Sequence, residues 1–307
     1  MKRASYAESE RICEATFAKG CPWWHLYTPG IDTSLLFADA EDFRYAINLL
    51  ARCHKDIETV IIVAFEIMSN HVHLVVSGDE DDIRRFFNLF RRRLKWYLAS
   101  KGRKESIRRF TMSLKPIKDL RTLRNTIVYV NRNGYVADPD RTPYSDPWGT
   151  GRFYFGDYPT GRLLDDFSYR KARKLLRSRG GELAGDYLVI NGHISPVSFC
   201  AFELGKAMFR NAHHYFSMIS KNVEAYGELA NELDDGEFLT DPELFTQVSK
   251  LLMHNYGINS LRDLTKPQKL DLARKLRQDY RSSNGQIRRI LGLTQYDVDS
   301  LFPLSAK

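Results

Sequence analysis

The sequence predicts an α+β protein in which an antiparallel sheet with helices on one face occupies residues 22–150 and a mostly α-helical region follows. Three observations carry this. Short β-branched and aromatic runs alternate with helical periodicity up to about residue 135, two of those runs are separated only by Ser69-Asn70, and the pattern beyond Asp157 is mostly helical.

Each element has a local cause. Trp23–Thr28 (WWHLYT) reads as a strand closed by Pro29-Gly30, and Asp39–Cys53 carries Phe43, Ala46, Leu49, Leu50 and Cys53 at helical spacing. Thr59–Met68 (TVIIVAFEIM) and His71–Ser77 (HVHLVVS) read as strands joined across a turn, hence as an antiparallel hairpin. A helix begins at Asp81, with Ile83, Phe86, Phe87, Phe90, Leu94, Tyr97 and Leu98 in one stripe. Arg109–Ile117 supplies a fourth strand, and a helix runs from about Asp119 to Asn133. The order β-α-β-β-α-β-α is that of a ferredoxin-like split βαβ unit with an added helix.

The 307 residues carry 46 Lys+Arg against 38 Asp+Glu, a formal charge of +8 that matters mainly for its distribution. Nine basic residues and no acid lie between Arg84 and Lys104, eight acids and no base between Glu224 and Glu243, and nine bases against four acids between Lys266 and Lys307. A polyanionic partner fits the two basic blocks, and the acidic stretch reads as a spacer. The domain reading is an N-terminal arm (1–21), an α+β domain (22–150), a helical accessory region (151–225), an acidic linker or helical spacer (226–265) and a helix-turn-helix-like domain (266–304). No apolar run is long enough to cross a bilayer and the first residues lack a secretory h-region, so a cytoplasmic protein is expected. Cys13, Cys21, Cys53 and Cys200 are scattered without a CxxC pair, which excludes a disulfide framework and a cysteine-based zinc site as readings.

The chemistry-bearing candidates are few. His71-Val72-His73 puts two imidazoles on one face of a strand, where they either share a metal ion or stand as two half-exposed histidines. Tyr129 and Asn133 are i and i+4 on a helix, so a phenol and an amide oxygen share its face; the alternative is a packed tyrosine and a helix end, with Gly134 as the left-handed terminator. Two His nitrogens and an amide oxygen suit Mg²⁺ or Mn²⁺ better than a closed zinc site. On the basic helix, Arg84, Arg85, Arg91, Arg92 and Lys95 point toward solvent or a DNA strand, and Trp96 and Tyr97 offer stacking surfaces. In the C-terminal block, Ser283-Asn284-Gly285 and Gly292-Leu293-Thr294 separate three short helices. Thr294–Asp299 opens a candidate recognition helix, and Arg281, Arg288 and Arg289 are the backbone contacts expected. His213-His214, His193, His54 and His254 read as structural.

Ala64–Val76 (AFEIMSNHVHLVV) resembles the strand pair of single-tyrosine HUH transposases, the family of insertion-sequence and REP-associated tyrosine transposases. Trp24–Thr28 is similar to that family's opening strand, Tyr129–Ala137 (YVNRNGYVA) resembles its tyrosine-helix end, and Pro143-Tyr144-Ser145 resembles the aromatic-Ser pair that often follows in the family. The resemblance covers roughly 40% of the chain, from Trp23 to Trp148, and departs at Gly134, where many relatives have proline. It implies His71, His73 and Asn133 as metal ligands for Mg²⁺ or Mn²⁺ and Tyr129 as the nucleophile. The implied reaction cleaves and rejoins single-stranded, often hairpin-bearing DNA through a 5′-phosphotyrosine. It leaves open a homodimer, since minimal relatives pair and longer ones act alone. The competing readings are a non-catalytic or domesticated DNA-binding regulator that keeps the fold, and a replication-initiator or relaxase nuclease.

Overall fold

The computed structural model describes residues 22–29, 35–137, 142, 144–178, 183–221, 229–230, 239–258 and 260–302. The N-terminal arm, Pro143 and most of the acidic stretch lie outside the described residues. The chain divides into two compact units, residues 1–134 with 142–221 and residues 135–141 with 222–307. Among the described residues no helix is long and apolar enough to cross a membrane.

The first unit is built on β1 (Trp23–Tyr27), α1 (Ala40–Asp56), β2 (Ile61–Ile67), β3 (Val72–Ser77), α2 (Glu80–Ser100), β4 (Ser113–Ile117) and α3 (Leu120–Ala137). The strands form one antiparallel sheet in the order β2-β3-β1-β4, which is the split βαβ arrangement read from the sequence. Asp39 and Asp79 start α1 and α2 by accepting backbone N–H groups of the first turn.

Register decides which side chains share a face. Leu26 opposes Leu74, Phe65 opposes Leu74 from the other side, and Ile67 opposes Val72, so one face is apolar. Phe199 stacks on Phe65 of that face and lies beside His54 of α1. Helix α2 joins α1 through the Tyr45–Tyr97 stack, whose ring centroids are 3.8 Å apart. The two crossover helices thus share the apolar face. The added helix α3 takes the opposite one, which carries His25, Tyr27, Glu66 and His73.

The region 151–221 belongs to this unit, and where the sequence pattern suggests a helical accessory region it also holds strands. It contains a small antiparallel sheet, β5 (Arg162–Leu163), β6 (Leu188–Ile190) and β7 (His193–Ile194), with α4 (Tyr169–Leu176), α5 (Phe202–Ala207) and α6 (Ala212–Lys221) around it. Strands of two or three residues are too short to show alternation, which is why the pattern hides them.

In the second unit, α7 (Asp241–Tyr256), α8 (Lys266–Asp279), α9 (Asn284–Leu291) and α10 (Gln295–Leu301) pack around Leu244, Val248, Leu252, Leu276, Ile287 and Val298. Gly292 (φ 62°) ends α9 in the left-handed conformation, and Thr294 caps α10. The three short helices of the C-terminal block stand where the sequence puts them.

Candidate active site

The site starts from one register fact: Tyr27 and Glu66 both oppose His73, one from each neighbouring strand. His73 therefore stands mid-sheet and is 1% exposed rather than half-exposed as its alternation alone suggests. His71 precedes the first residue of β3, and its ring stands perpendicular to that of His73 at 5.0 Å between centroids. Asn70 Oδ1 accepts a hydrogen bond from His71 Nδ1 at 2.7 Å, which puts the lone pair of His71 on Nε2.

A third imidazole, His25, completes the row. Its Nε2 lies 3.2 Å from His73 Nδ1. With the proton on His73 Nδ1, His25 accepts and His73 presents its Nε2 lone pair, the arrangement a ligating histidine needs. His25 is 1% exposed. It was legible only as a polar residue in the otherwise apolar and aromatic run WWHLY.

Helix α3 brings Tyr129 against this row. The Tyr129 ring is edge-on to His73 at 5.9 Å and to His25 at 6.4 Å. Asn133 follows one turn later on the same helix face and is 5% exposed. The structure thus sets His73 beside both His71 and Tyr129, and the helical spacing puts Asn133 on the face that Tyr129 presents. Tyr129 itself is 1% exposed, so a DNA phosphate reaches its hydroxyl only if neighbouring groups move.

Glu66 is the second residue that sequence reasoning missed. It is a carboxylate in the apolar strand IIVAFEI, 1% exposed and on the histidine face. Two glycines make room for it. A Cβ on Gly149 would lie 1.7 Å from Glu66 Oε2, and one on Gly134 would lie 2.7 Å from Glu66 Oε1 and 2.5 Å from Asp146 Cγ. Gly134 therefore does not terminate α3, as the sequence allowed; the helix continues to Ala137. Its missing side chain is where two buried carboxyl groups crowd the helix. Next to it, Arg132 is fully buried, and Asn131 donates to Tyr215 Oη at 2.9 Å while accepting from Thr150 Oγ1 at 2.6 Å.

The donor set bears on a divalent ion. His71, oriented by Asn70, and His73, beside His25, offer two nitrogens, and Asn133 offers an amide oxygen. Among the described residues no group of three His, Cys, Asp or Glu converges, so a closed zinc cage is absent from them. A mixed set of two imidazoles, an amide oxygen, waters and phosphate oxygens suits Mg²⁺ or Mn²⁺.

The basic helix resolves into distinct surroundings. Arg91, Arg92 and Lys95 line one hollow of about 450 Å³ together with Lys104 and Arg108, with Glu105 the acid in its wall. Arg108 belongs to no motif and enters through the 3-10 turn at Lys104–Ile107. Arg84 is held by Glu80 (2.5 Å) and Arg85 by Asp82 (2.7 Å), both as exposed pairs that a phosphate can displace at little cost. Trp96 is 65% exposed with the Arg92 guanidinium 5.9 Å from its ring. Tyr97, by contrast, offers no stacking surface. It is 4% exposed, packs on Tyr45 and donates its hydroxyl to Asp42 Oδ1 at 2.6 Å. Burial and that bond to a carboxylate push the phenol well above its ordinary range.

In the second unit, Arg289 makes a two-pronged pair with Asp241 (2.6 and 3.0 Å), and Arg288 donates to Gln295 Oε1 at 3.1 Å. Arg281 sits at positive φ (48°) just beyond α8. In the would-be recognition helix, Lys266 and the Thr294 hydroxyl and N–H bring Asp297 down to about 2. His193, buried and pushed down by that burial, bonds Ile194 O through Nδ1, and His214 Nδ1 accepts from the Arg210 N–H; both are structural.

No protein-family model matches the chain, and no curated protein sequence matches it. A solved structure of a REP-associated tyrosine transposase bound to a REP hairpin is similar over 56% of this chain and 94% of that one, at 13% identity and a TM-score of 0.34.

Proposed function

We propose that this chain cleaves and rejoins single-stranded DNA through a covalent link to Tyr129. The observation that carries the reading is the convergence of Tyr129, from α3, on His73 of the sheet, with His71 on one side of that histidine and His25 on the other. A row of imidazoles beside a phenol is poorly explained as core packing, because burying polar rings costs more than burying apolar ones of the same size.

In the reaction, the Tyr129 hydroxyl attacks the phosphorus in line. The Oη–P bond forms as the bond from phosphorus to the 3′ oxygen breaks; the phenol gives up its proton and the 3′ oxygen gains one. One phosphodiester replaces another, so no external energy source is required, and the reverse step with a different 3′-hydroxyl joins a new strand. His71, His73 and Asn133 would hold a divalent ion, which when bound would supply charge stabilisation at the phosphate oxygens. His25 orients His73 by the ring-to-ring hydrogen bond, and Asn70 does the same for His71. Arg91, Arg92 and Lys95 hold the strand's phosphates in the hollow beside α2.

The test is a denaturing gel of single-stranded hairpin oligonucleotides labelled at the 3′ end, incubated with the protein and Mg²⁺ or Mn²⁺. The expected result is a protein–DNA adduct that is lost with Tyr129→Phe and with a chelator. An adduct formed by the Phe variant overturns the nucleophile assignment. The 1% exposure of Tyr129 favours a second reading, a DNA-binding regulator that keeps the fold without the chemistry. DNA binding by the wild-type protein with no adduct establishes that reading.

A further inference from the structure

A second basic surface lies on the side of α2 away from the hollow described above. Arg52 of α1, Arg93 of α2, and Arg173, Lys174 and Arg177 of and beyond α4 line a groove of about 950 Å³, with Trp96 on its wall. No carboxylate is among the described residues that line it. Of these cations only Arg93 belongs to a basic block read from the sequence, because they come from three elements separated by about 40 to 80 residues.

The groove is built rather than incidental. Arg52 is 7% exposed and donates to Leu176 O at 3.2 Å, tying α1 to the end of α4. Arg177 ends α4 at φ 46°, a left-handed conformation that costs a non-glycine residue energy, and its guanidinium lies 5.1 Å from the Tyr97 ring. The Tyr45–Tyr97 stack makes the floor. Arg93 and Arg177 are paired at the rim with Asp56 and Glu41, whereas Arg173 and Lys174 are exposed and form no ion pair in the described structure. Arg173 also stands 5.6 Å from the ring of Tyr169, which is 64% exposed. Trp96 ties the two surfaces together, since Arg92 above its ring lines the first hollow.

We propose that this groove binds single-stranded DNA, with phosphates on Arg173 and Lys174 and a base stacked on Trp96. Arg173 and Lys174, which form no ion pair among the described residues, select a polyanion, and an indole open to solvent beside them selects one whose bases are unpaired, since a duplex keeps its base faces covered. The choice of DNA rests on the reaction proposed for Tyr129; the groove itself uses none of that site's residues. It would hold a stretch of strand other than the one being cut, and it gives the accessory region a task.

The experiment is fluorescence anisotropy of a labelled oligothymidylate of ~15 nucleotides and of a duplex of the same length, without divalent metal. Arg173→Glu with Lys174→Glu is expected to weaken oligothymidylate binding about tenfold or more and to flatten its salt dependence. Trp96→Ala is expected to weaken it about fivefold while leaving duplex binding unchanged. All three residues are exposed, so circular dichroism and the melting temperature stay at wild-type values and report that the fold is intact. Unchanged oligothymidylate binding in both variants overturns the proposal, and so does an equal loss on duplex in Trp96→Ala. Inorganic polyphosphate competing as well against Trp96→Ala as against wild type leaves only a general anion surface and overturns the base-stacking assignment. A protein that binds oligothymidylate through the groove yet forms no adduct contradicts the catalytic reading alone. One that forms the adduct while ignoring these substitutions contradicts the groove alone.

Discussion

In the first unit, α3 is held by partners far along the chain. Tyr129 meets His25 and His73, Asn131 bonds Tyr215 and Thr150, and Gly134 faces Glu66 and Asp146. In the second unit, helices carry their own start signals within three residues. The Thr240 N–H donates to Glu243 Oε2, the Thr265 N–H to Gln268 Oε1 and the Thr294 N–H to Asp297 Oδ2. The helix that carries Tyr129 is fixed by strand register and close approach, whereas the helices of the second unit start on local caps. The consequence is a different kind of fragility: steric changes damage the first, and loss of a single hydroxyl damages the second.

That contrast can be broken by substitution. The largest stability effect is expected at Gly149→Ala, whose Cβ would meet the Glu66 carboxylate at 1.7 Å with Gly134 confining it on the other side. We expect a loss of about 3 kcal/mol by urea denaturation; a near-neutral result shows that Glu66 swings away at no cost.

Asp42 comes next. It is fully buried, and although burial alone raises its pKa, hydrogen bonds from Tyr97, the Ala38 N–H and Arg103 outweigh that and hold the carboxyl below its usual value. A depressed folded-state pKa means that the unfolded chain takes up a proton first as pH falls. This contribution to stability is therefore complete at neutral pH and fades from ~4 downward, through the folded-state value. Asp42→Asn is expected to cost about 2 kcal/mol at pH 7 and to make the melting temperature less sensitive to acid. An unaltered acid profile in that variant assigns the acid loss to other carboxylates.

In the second unit, Thr294→Ala is expected to cost about 1 kcal/mol, restored by Thr294→Ser, because the hydroxyl caps α10. A cost equal to that of Gly149→Ala erases the distinction between the units. The smallest effect is expected at Arg289→Ala. Its pair with Asp241 is partly exposed on the arginine side and is worth less than about 1 kcal/mol, so a marked drop in DNA affinity there, against little change in stability, reports a phosphate contact.

Much of this architecture was readable beforehand, for reasons that follow the same divide. The helical stripes of α1 and α2, the hairpin around Ser69-Asn70 and the caps of the C-terminal helices are local patterns, and the structure places them within a few residues of expectation. His25 and Glu66 were not readable as site residues because their importance lies in pairing with His73, which is 48 and 7 residues away and set by register rather than by spacing. Gly134 looked like a helix terminator because sequence cannot show two carboxyl groups pressing on it. Tyr97 looked available because a stripe does not reveal that a hydroxyl at its edge is taken by Asp42.

The central claim is that Tyr129 is the nucleophile, and it is tested most directly by mass spectrometry of the trapped protein–DNA adduct after nuclease and trypsin digestion. Cleavage after Arg124 and Arg132 yields the peptide NTIVYVNR, in which Tyr129 is the sole tyrosine. A nucleotide mass on Tyr129 of that peptide is the predicted result; an unmodified peptide, with the nucleotide on another residue of the chain, contradicts the account.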